Sequence, residues 1–240
     1  MNHDKGNTPK VFAHRGASAD FPEHTMAAYL AAIEQGADGF ECDIRLTKDA
    51  IPVLWHDSTL DRMAKVPGKI AHLTLHEIQN RYPSVLGLNE FLDLAIAHKK
   101  DLAIETKHPV PSGREIERTL LHYLERKKEE IKESGIEISL MSFSWFAISS
   151  AQKLEMNTVA LFDGARSRAI GRFTRARTLG PSIEKIKKHP EIISEARRRG
   201  KRLFIWTVDE ADDIQYCQKN GIDVVITNKP ALARKVLGYP

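Results

Sequence analysis

The sequence predicts an α/β protein closed as a TIM-type (β/α)8 barrel, and three observations carry the prediction. Eight short apolar runs alternate with amphipathic helical stretches along 240 residues, the order that lays parallel strands side by side with helices outside them. No Gly-x-Gly-x-x-Gly follows the first run, so a doubly wound open sheet lacks its usual support. No composition break or Pro/Gly-rich linker divides the chain, which reads as a single domain over 1–240.

Each element follows from local pattern. Residues 11–14 form the first strand and end in His14. Residues 25–35 have helical spacing, and Gly36 stops that helix because glycine takes the left-handed cap without steric cost. Residues 39–43 form the second strand. Residues 44–56 then break the alternation, with two extended runs around a polar turn at Lys48-Asp49. Folded as a hairpin, they bring His56 back roughly opposite Asp43. Ala50 stands where such a turn favours glycine. Residues 46–82 are therefore expected to be an insertion after strand two, above the barrel mouth. Runs at 102–106, 138–143, 158–162, 203–208 and 224–227, with a weak one near 177–180, complete the strands. Helical pattern covers 116–132, where charges from Glu125 to Glu130 make a solvated face. It recurs over 191–199 before Gly200 and over 211–219 before Asn220-Gly221.

Composition narrows the function. A hydrophobic share of 42% with 28% charged residues is that of a soluble globular protein. Lys plus Arg number 36 against 32 Asp plus Glu, a net +4. That excess is too slight for a nucleic-acid binder but suits an anionic small molecule. Cys42 and Cys217 form no C-x-x-C pair, and Cys42 reads as a small buried residue of the second strand. Residues 1–7 have no apolar stretch of signal-peptide length, and the longest apolar run, residues 26–33, is far short of a membrane span. A cytoplasmic location without membrane insertion is expected.

Strand alternation then assembles a candidate site. Glu41 and Asp43 share one face of the second strand, and Glu105 and Lys107 share a face of the third. Active sites of such barrels gather at the carboxyl ends of strands. Three carboxylates converging there repel one another, and a hard divalent cation, Mg²⁺ or Ca²⁺, resolves the repulsion. His14 and His56 beside it suit an acid and a base working near neutral pH. Arg15 and Lys107 supply positive charge for a phosphate. Each pattern alone has an ordinary explanation, such as a structural Glu105–Lys107 ion pair. Their convergence at the strand ends of one barrel is what singles them out.

Longer motifs carry a resemblance. His14-Arg-Gly-Ala-Ser18 with Pro22-Glu-His-Thr25 is similar to the opening signature of the glycerophosphodiester phosphodiesterase family. Residues 36–49 resemble its second block, and residues 53–57 with 60–62 its third. Residues 104–107, 141–143, 206–208 and 222–228 resemble later ones, so the match runs from about 11 to 230. The resemblance implies a barrel enzyme that cuts glycerophosphodiesters into glycerol 3-phosphate and an alcohol. It implies Glu41, Asp43 and Glu105 as ligands of one divalent cation, His14 and His56 as the proton-transfer pair, and Arg15 and Lys107 at the phosphate. Which histidine is the acid stays open, as does the choice between water and a glycerol hydroxyl as nucleophile. Three departures stand out. The usual Pro-Glu-Asn-Thr has His24, read as serving the helix start beside Thr25. The usual Glu-Ile-Lys has Thr106, and Asp49-Ala50 replaces Asp-Gly. Glu23 steadies the first loop or reaches a ligand shell.

Other residues have competing readings. Trp206 lines the pocket or packs in the barrel core with Phe204. Phe12 and Trp55 read as packing, as do Phe143 and Phe162 at strand ends. Arg166, Arg168, Arg172, Arg175 and Arg177 form a basic segment, read as a solvated loop rather than a substrate-attracting one at the mouth. The remaining histidines read as incidental. A barrel phosphodiesterase acting on lysolipids or phospholipids is the alternative function. It requires an apolar approach surface, which no sequence stretch announces. A catalytically silent phosphodiester-binding barrel is the other.

Overall fold

A computed structural model describes residues 8–163 and 174–239. Its strands are β1 (Lys10–His14), β2 (Gly39–Leu46), β3 (Pro52–Leu54), β4 (Asp101–Thr106), β5 (Ile138–Ser142), β6 (Asn157–Phe162), β7 (Thr178–Pro181), β8 (Arg202–Ile205) and β9 (Val224–Thr227). The nine-stranded sheet runs β1-β9-β8-β7-β6-β5-β4-β2-β3, and β1 also pairs with β2. That last pairing closes a ring, from which only the antiparallel β3 is left out. The eight strands of the ring pair in parallel, as the alternation predicts. The helices include α1 (Met26–Glu34), α2 (Asp61–Ala64), α3 (Leu75–Arg81), α4 (Leu88–Ala97), α5 (Glu115–Arg126), α6 (Lys128–Ser134) and α7 (Trp145–Lys153). They continue with α8 (Ile183–Lys188), α9 (Glu191–Arg198), α10 (Ala211–Lys219) and α11 (Pro230–Leu237).

Alternation divides the core into two layers. Phe12, Ala103, Met141, Val159, Leu161, Phe204, Val224 and Ile226 point inward and fill the barrel. Their strand neighbours, among them Val11, Ile104, Leu140 and Leu203, point outward and pack under the helices. Phe12 and Phe204 meet edge to face inside, with ring centroids 5.7 Å apart. Gly39 makes room for them, since a Cβ there would stand 2.6 Å from the Phe12 ring. Removing the buried Phe12 ring would cost about 3–5 kcal/mol.

Two expectations change. The helical stretch 116–132 is two helices, α5 and α6, that break at Lys127. The hairpin forms, but its register pairs Ile44 with Leu54 and Leu46 with Pro52. Trp55, whose N–H donates to the Asp43 carbonyl at 2.9 Å, therefore stands opposite Asp43. His56 follows one residue past it. The turn places Ala50 at φ +58°, the conformation for which glycine is favoured. Residues 57–82 fold into α2, a 3-10 turn (Ile70–His72) and α3 over their own apolar cluster of Val53, Trp55, Leu60, Ile70, Leu73, Ile78 and Val85.

Candidate active site

The inward parity that fills the barrel continues to the carboxyl ends of the strands, where it turns polar on one side and stays apolar on the other. Phe12 is followed at the same parity by His14, Ala103 by Glu105 and then Lys107, Met141 by Phe143, Phe204 by Trp206, and Ile226 by Asn228. A cavity of about 160 Å³ opens there, lined by His14, Arg15, Glu41, His56, Glu105, Lys107, Met141, Phe143, Leu161, Trp206 and Ile226. Asp43 lies against it through Arg15 and Lys107. All eight residues singled out from the sequence as site candidates thus meet in one place. β1, β2 and β4 supply a charged half, and β5, β6, β8 and β9 an apolar half.

Glu41, Asp43 and Glu105 each bring a carboxylate oxygen within 4.8 Å of the others, and all three side chains are buried. Lys107 Nζ lies 3.1 Å from Asp43 Oδ1 and 2.9 Å from Glu105 Oε1. Arg15 Nε lies 3.1 Å from Asp43 Oδ2. Burial favours the neutral form of Asp43, but the His24 hydrogen bond and the charges of Arg15 and Lys107 outweigh it and hold the carboxyl well below its usual range. Burial and the Asp43 charge push Glu41 well up and Glu105 to about 8. Carboxylates crowded this closely resist ionising together, a repulsion that a cation between them would relieve. Glu41 Oε2 is buried without a hydrogen-bond partner. An orphaned oxygen within an all-oxygen donor set fits a hard divalent cation.

The histidines are held differently. His14 Nδ1 is 2.7 Å from Asn228 Oδ1, and Asn228 Nδ2 donates to Asp209 Oδ2 at 2.6 Å. Because the amide donates to Asp209, its oxygen accepts, so the His14 proton sits on Nδ1 and the Nε2 lone pair is free. Nε2 stands 3.8 Å from Glu41 Oε2. Burial, aided by Arg15, pushes His14 down to about 4. His56 is more exposed, at 34%, and its Nδ1 is 2.8 Å from Asp57 Oδ1. Burial lowers its pKa too, opposed by the Asp43 charge.

Several residues stand where the sequence reading did not put them. His24 does more than serve the start of α1, whose cap is the Thr25 hydroxyl accepting from Ala28 N. It is buried, with Nε2 3.0 Å from Asp43 Oδ2 and Nδ1 3.1 Å from the Tyr29 hydroxyl. Glu23 pairs with Arg15 at 3.3 Å and with Arg62 at 2.6 Å, which ties the first loop to α2. Phe143 is not core. It is 44% exposed and meets Trp206 edge to face at 5.5 Å, whereas Phe162 is buried. Trp206 is part of the pocket wall and touches the barrel core from above, its Nε1 donating to Gly180 O at 2.8 Å. His108, outside the site, has Nε2 2.7 Å from Oε1 of the buried Glu117. Arg175 and Arg177 are exposed and precede β7, at the end of the barrel away from the site. Arg166, Arg168 and Arg172 lie outside the described residues, as do residues 1–7. Asn228, Asp209 and Tyr29 were missed as partners of the site. Asn228 alone had a signal, its inward parity with Ile226.

A sequence profile of the glycerophosphoryl diester phosphodiesterase family matches residues 14–232. The chain is also 33% identical to the probable glycerophosphodiester phosphodiesterase 1 of Mycobacterium tuberculosis over 250 residues, which cover 92% of this chain and 90% of that one. The chain belongs to the glycerophosphoryl diester phosphodiesterase family. It is accordingly a phosphoric diester hydrolase acting on glycerophosphodiesters. Structural comparison agrees with that family. The glycerophosphodiester phosphodiesterase of Thermotoga maritima superposes with a TM-score of 0.81 at 26% identity, over 96% of this chain and 99% of that one. A phosphodiesterase of Oleispira antarctica in complex with the product sn-glycerol-3-phosphate shares the fold, with a TM-score of 0.81 at 22% identity over 96% and 97% of the two chains.

Proposed function

We propose that the chain hydrolyses glycerophosphodiesters to glycerol 3-phosphate and an alcohol, with Glu41, Asp43 and Glu105 holding one divalent cation, Mg²⁺ or Ca²⁺. The observation that carries the assignment is the buried convergence of those carboxylates, within 4.8 Å, beside two histidines. A cation held there supplies Lewis-acid stabilisation of the phosphate. Arg15 and Lys107 add fixed positive charge where the phosphate oxygens gain charge. His14 takes the proton of the nucleophile, water or a glycerol hydroxyl, because Asn228 leaves its Nε2 lone pair free and burial keeps it neutral. His56 gives a proton to the leaving oxygen. Burial disfavours its imidazolium, the Asp43 charge and the Asp57 hydrogen bond oppose that, and its exposure lets it recharge from solvent. Trp206 forms the apolar wall against which the glycerol carbons rest.

The glycerol 3-phosphate bound to the Oleispira protein supports the same product here. Among the described residues no helix is long and apolar enough to cross a membrane. Cys42 and Cys217 are buried and unpaired, which suits a reducing cytoplasm. The test is release of glycerol 3-phosphate from glycerophosphoethanolamine, with and without a chelator. Full activity in chelator would sink the cation assignment, and no release at all would sink the function. An undiminished rate in His14→Ala or His56→Ala would remove that histidine from the scheme.

A further inference from the structure

Next to the catalytic cavity, the loops after β4 and β5 border a second, open hollow. It holds about 500 Å³, and its walls include Pro109, Val110, Phe143, Phe146 and Ala147. Phe143 is the wall common to both spaces. Its 44% exposure is matched on the same hollow by Phe146 at 66%. Soluble proteins leave large apolar side chains singly exposed, but two exposed phenylalanines lining one hollow beside a site mark something that binds there.

The two volumes divide a diester unequally. The inner cavity, at about 160 Å³, is below the roughly 300–1,000 Å³ of pockets that enclose drug-sized ligands. It accommodates the phosphate and the short glycerol arm. The other arm has to leave past Phe143, and the first surface it meets is the aromatic hollow. Its lining is mainly apolar, with His108, Arg114 and Ser144 as the polar side chains, and it offers a favourable site to methylenes. A membrane-inserting tip would instead be convex and ringed with cations. This hollow lies between two loops and has Arg114 as the one Lys or Arg of its lining.

Resting on the proposed hydrolysis at Glu41, Asp43 and Glu105, we propose that this hollow is a leaving-group subsite for glycerophosphodiesters whose alcohol carries a long apolar chain. In the reaction the P–O bond to that alcohol breaks and its oxygen takes up a proton. The oxygen of water ends on phosphorus, so the products are glycerol 3-phosphate and the chain-bearing alcohol.

A homologous series tests it, with the purified full chain given glycerophosphodiesters of ethanol, butanol, octanol and dodecanol below their aggregation concentrations. Glycerol 3-phosphate is the common product. The expected result is a kcat/KM that rises about twofold per added methylene, mostly through KM. That is roughly half, on a logarithmic scale, of the gain for full burial, because the hollow is open on one side. Phe146→Ser, at a position already 66% exposed, should flatten that slope. A slope that is flat in the native chain would overturn the proposal. So would a preference for glycerophosphocholine over the long-chain esters, which would make the rings a cation-binding cage. A gain confined to vesicles or micelles would overturn it in favour of interfacial anchoring. Absence of glycerol 3-phosphate from every ester and from glycerophosphoethanolamine would overturn the hydrolysis itself, a separate outcome.

Discussion

Asp43 is held from two sides, by Arg15 and Lys107 as cations and by His24 as a hydrogen-bond donor. His24 donates Nε2–H to the carboxylate, so its ring fixes one oxygen of Asp43 in place, while its Nδ1 stands 3.1 Å from the Tyr29 hydroxyl, which itself donates to the Glu41 carbonyl at 3.2 Å. Partners of this kind are worth tenfold or more in metal affinity. His24→Ala is therefore expected to weaken Mg²⁺ or Ca²⁺ binding by about tenfold, read by titration calorimetry. Unchanged affinity would make His24 a plain packing residue. Asn228→Ala is expected to lower kcat by about 10–100-fold with little change in KM, because it frees the His14 ring rather than a binding contact. A change in KM alone would place Asn228 in substrate binding. Glu105 sets the pH dependence. Its folded value of about 8 lies above the usual 4.5. Protonated Glu105 thus stabilises the cation-free fold at low pH, and that contribution is lost as pH rises from about 4.5 to 8. A cation must displace that proton, so the rise in Tm on adding Mg²⁺ or Ca²⁺ should grow with pH and level off near 8. An increment that falls over this range would rule Glu105 out as a ligand. The acids were legible in the sequence because period-two alternation puts Glu41 and Asp43 on one face. His24 was not, because its partner Asp43 is reached only when the loop after β1 folds across β2.

At the scale of elements, the hairpin and the first loop store the site's geometry. Ala50 at φ +58° carries a steric cost that glycine would not. Ala50→Gly is expected to stabilise the protein by about 0.5 kcal/mol after glycine's added chain entropy, a rise in Tm of about 1–2 °C. No rise would mean that the turn relaxes in solution. Gly16 is a stricter case. It sits at φ +85°, and a Cβ would stand 2.6 Å from the Cβ of Ala28. The loop that aims Arg15 runs over α1 only because that position is bare. The hairpin itself was readable from two extended runs around Lys48-Asp49. Its register was readable only to within one residue, since the contact that fixes it, Trp55 N–H to the Asp43 carbonyl, is made at the strand's end. The break at Lys127 was invisible because helical spacing runs on through it and the charges there suit a helix on either side.

Over the whole molecule, one inward parity fills the barrel with apolar side chains and crowns one side of its mouth with polar ones. Changes at the opposite end should therefore touch stability and spare catalysis. Arg202 lies there, 2.6 Å from Glu137 and 5.1 Å over the Phe204 ring. Arg202→Ala is expected to lower Tm by about 2–4 °C for a loss near 1 kcal/mol, with kcat/KM changed less than about twofold. A large loss of activity would mean that the floor and the mouth are coupled. The barrel was legible because alternation of strand and helix is a property of the chain read in order. The aromatic hollow was not, because Val110, Phe143 and Phe146 belong to two connections that only the closed ring brings together. Closure has a further consequence at the seam, where Asn228 and Asp209 from the last two βα units hold His14 from the first. A polypeptide still emerging from the ribosome carries both histidines and all three acids by residue 105. It cannot orient the first histidine until residue 228 arrives. Products that stop short of residue 228 should consequently be inert rather than weakly active, since the first strand's histidine waits on the last strand of the ring.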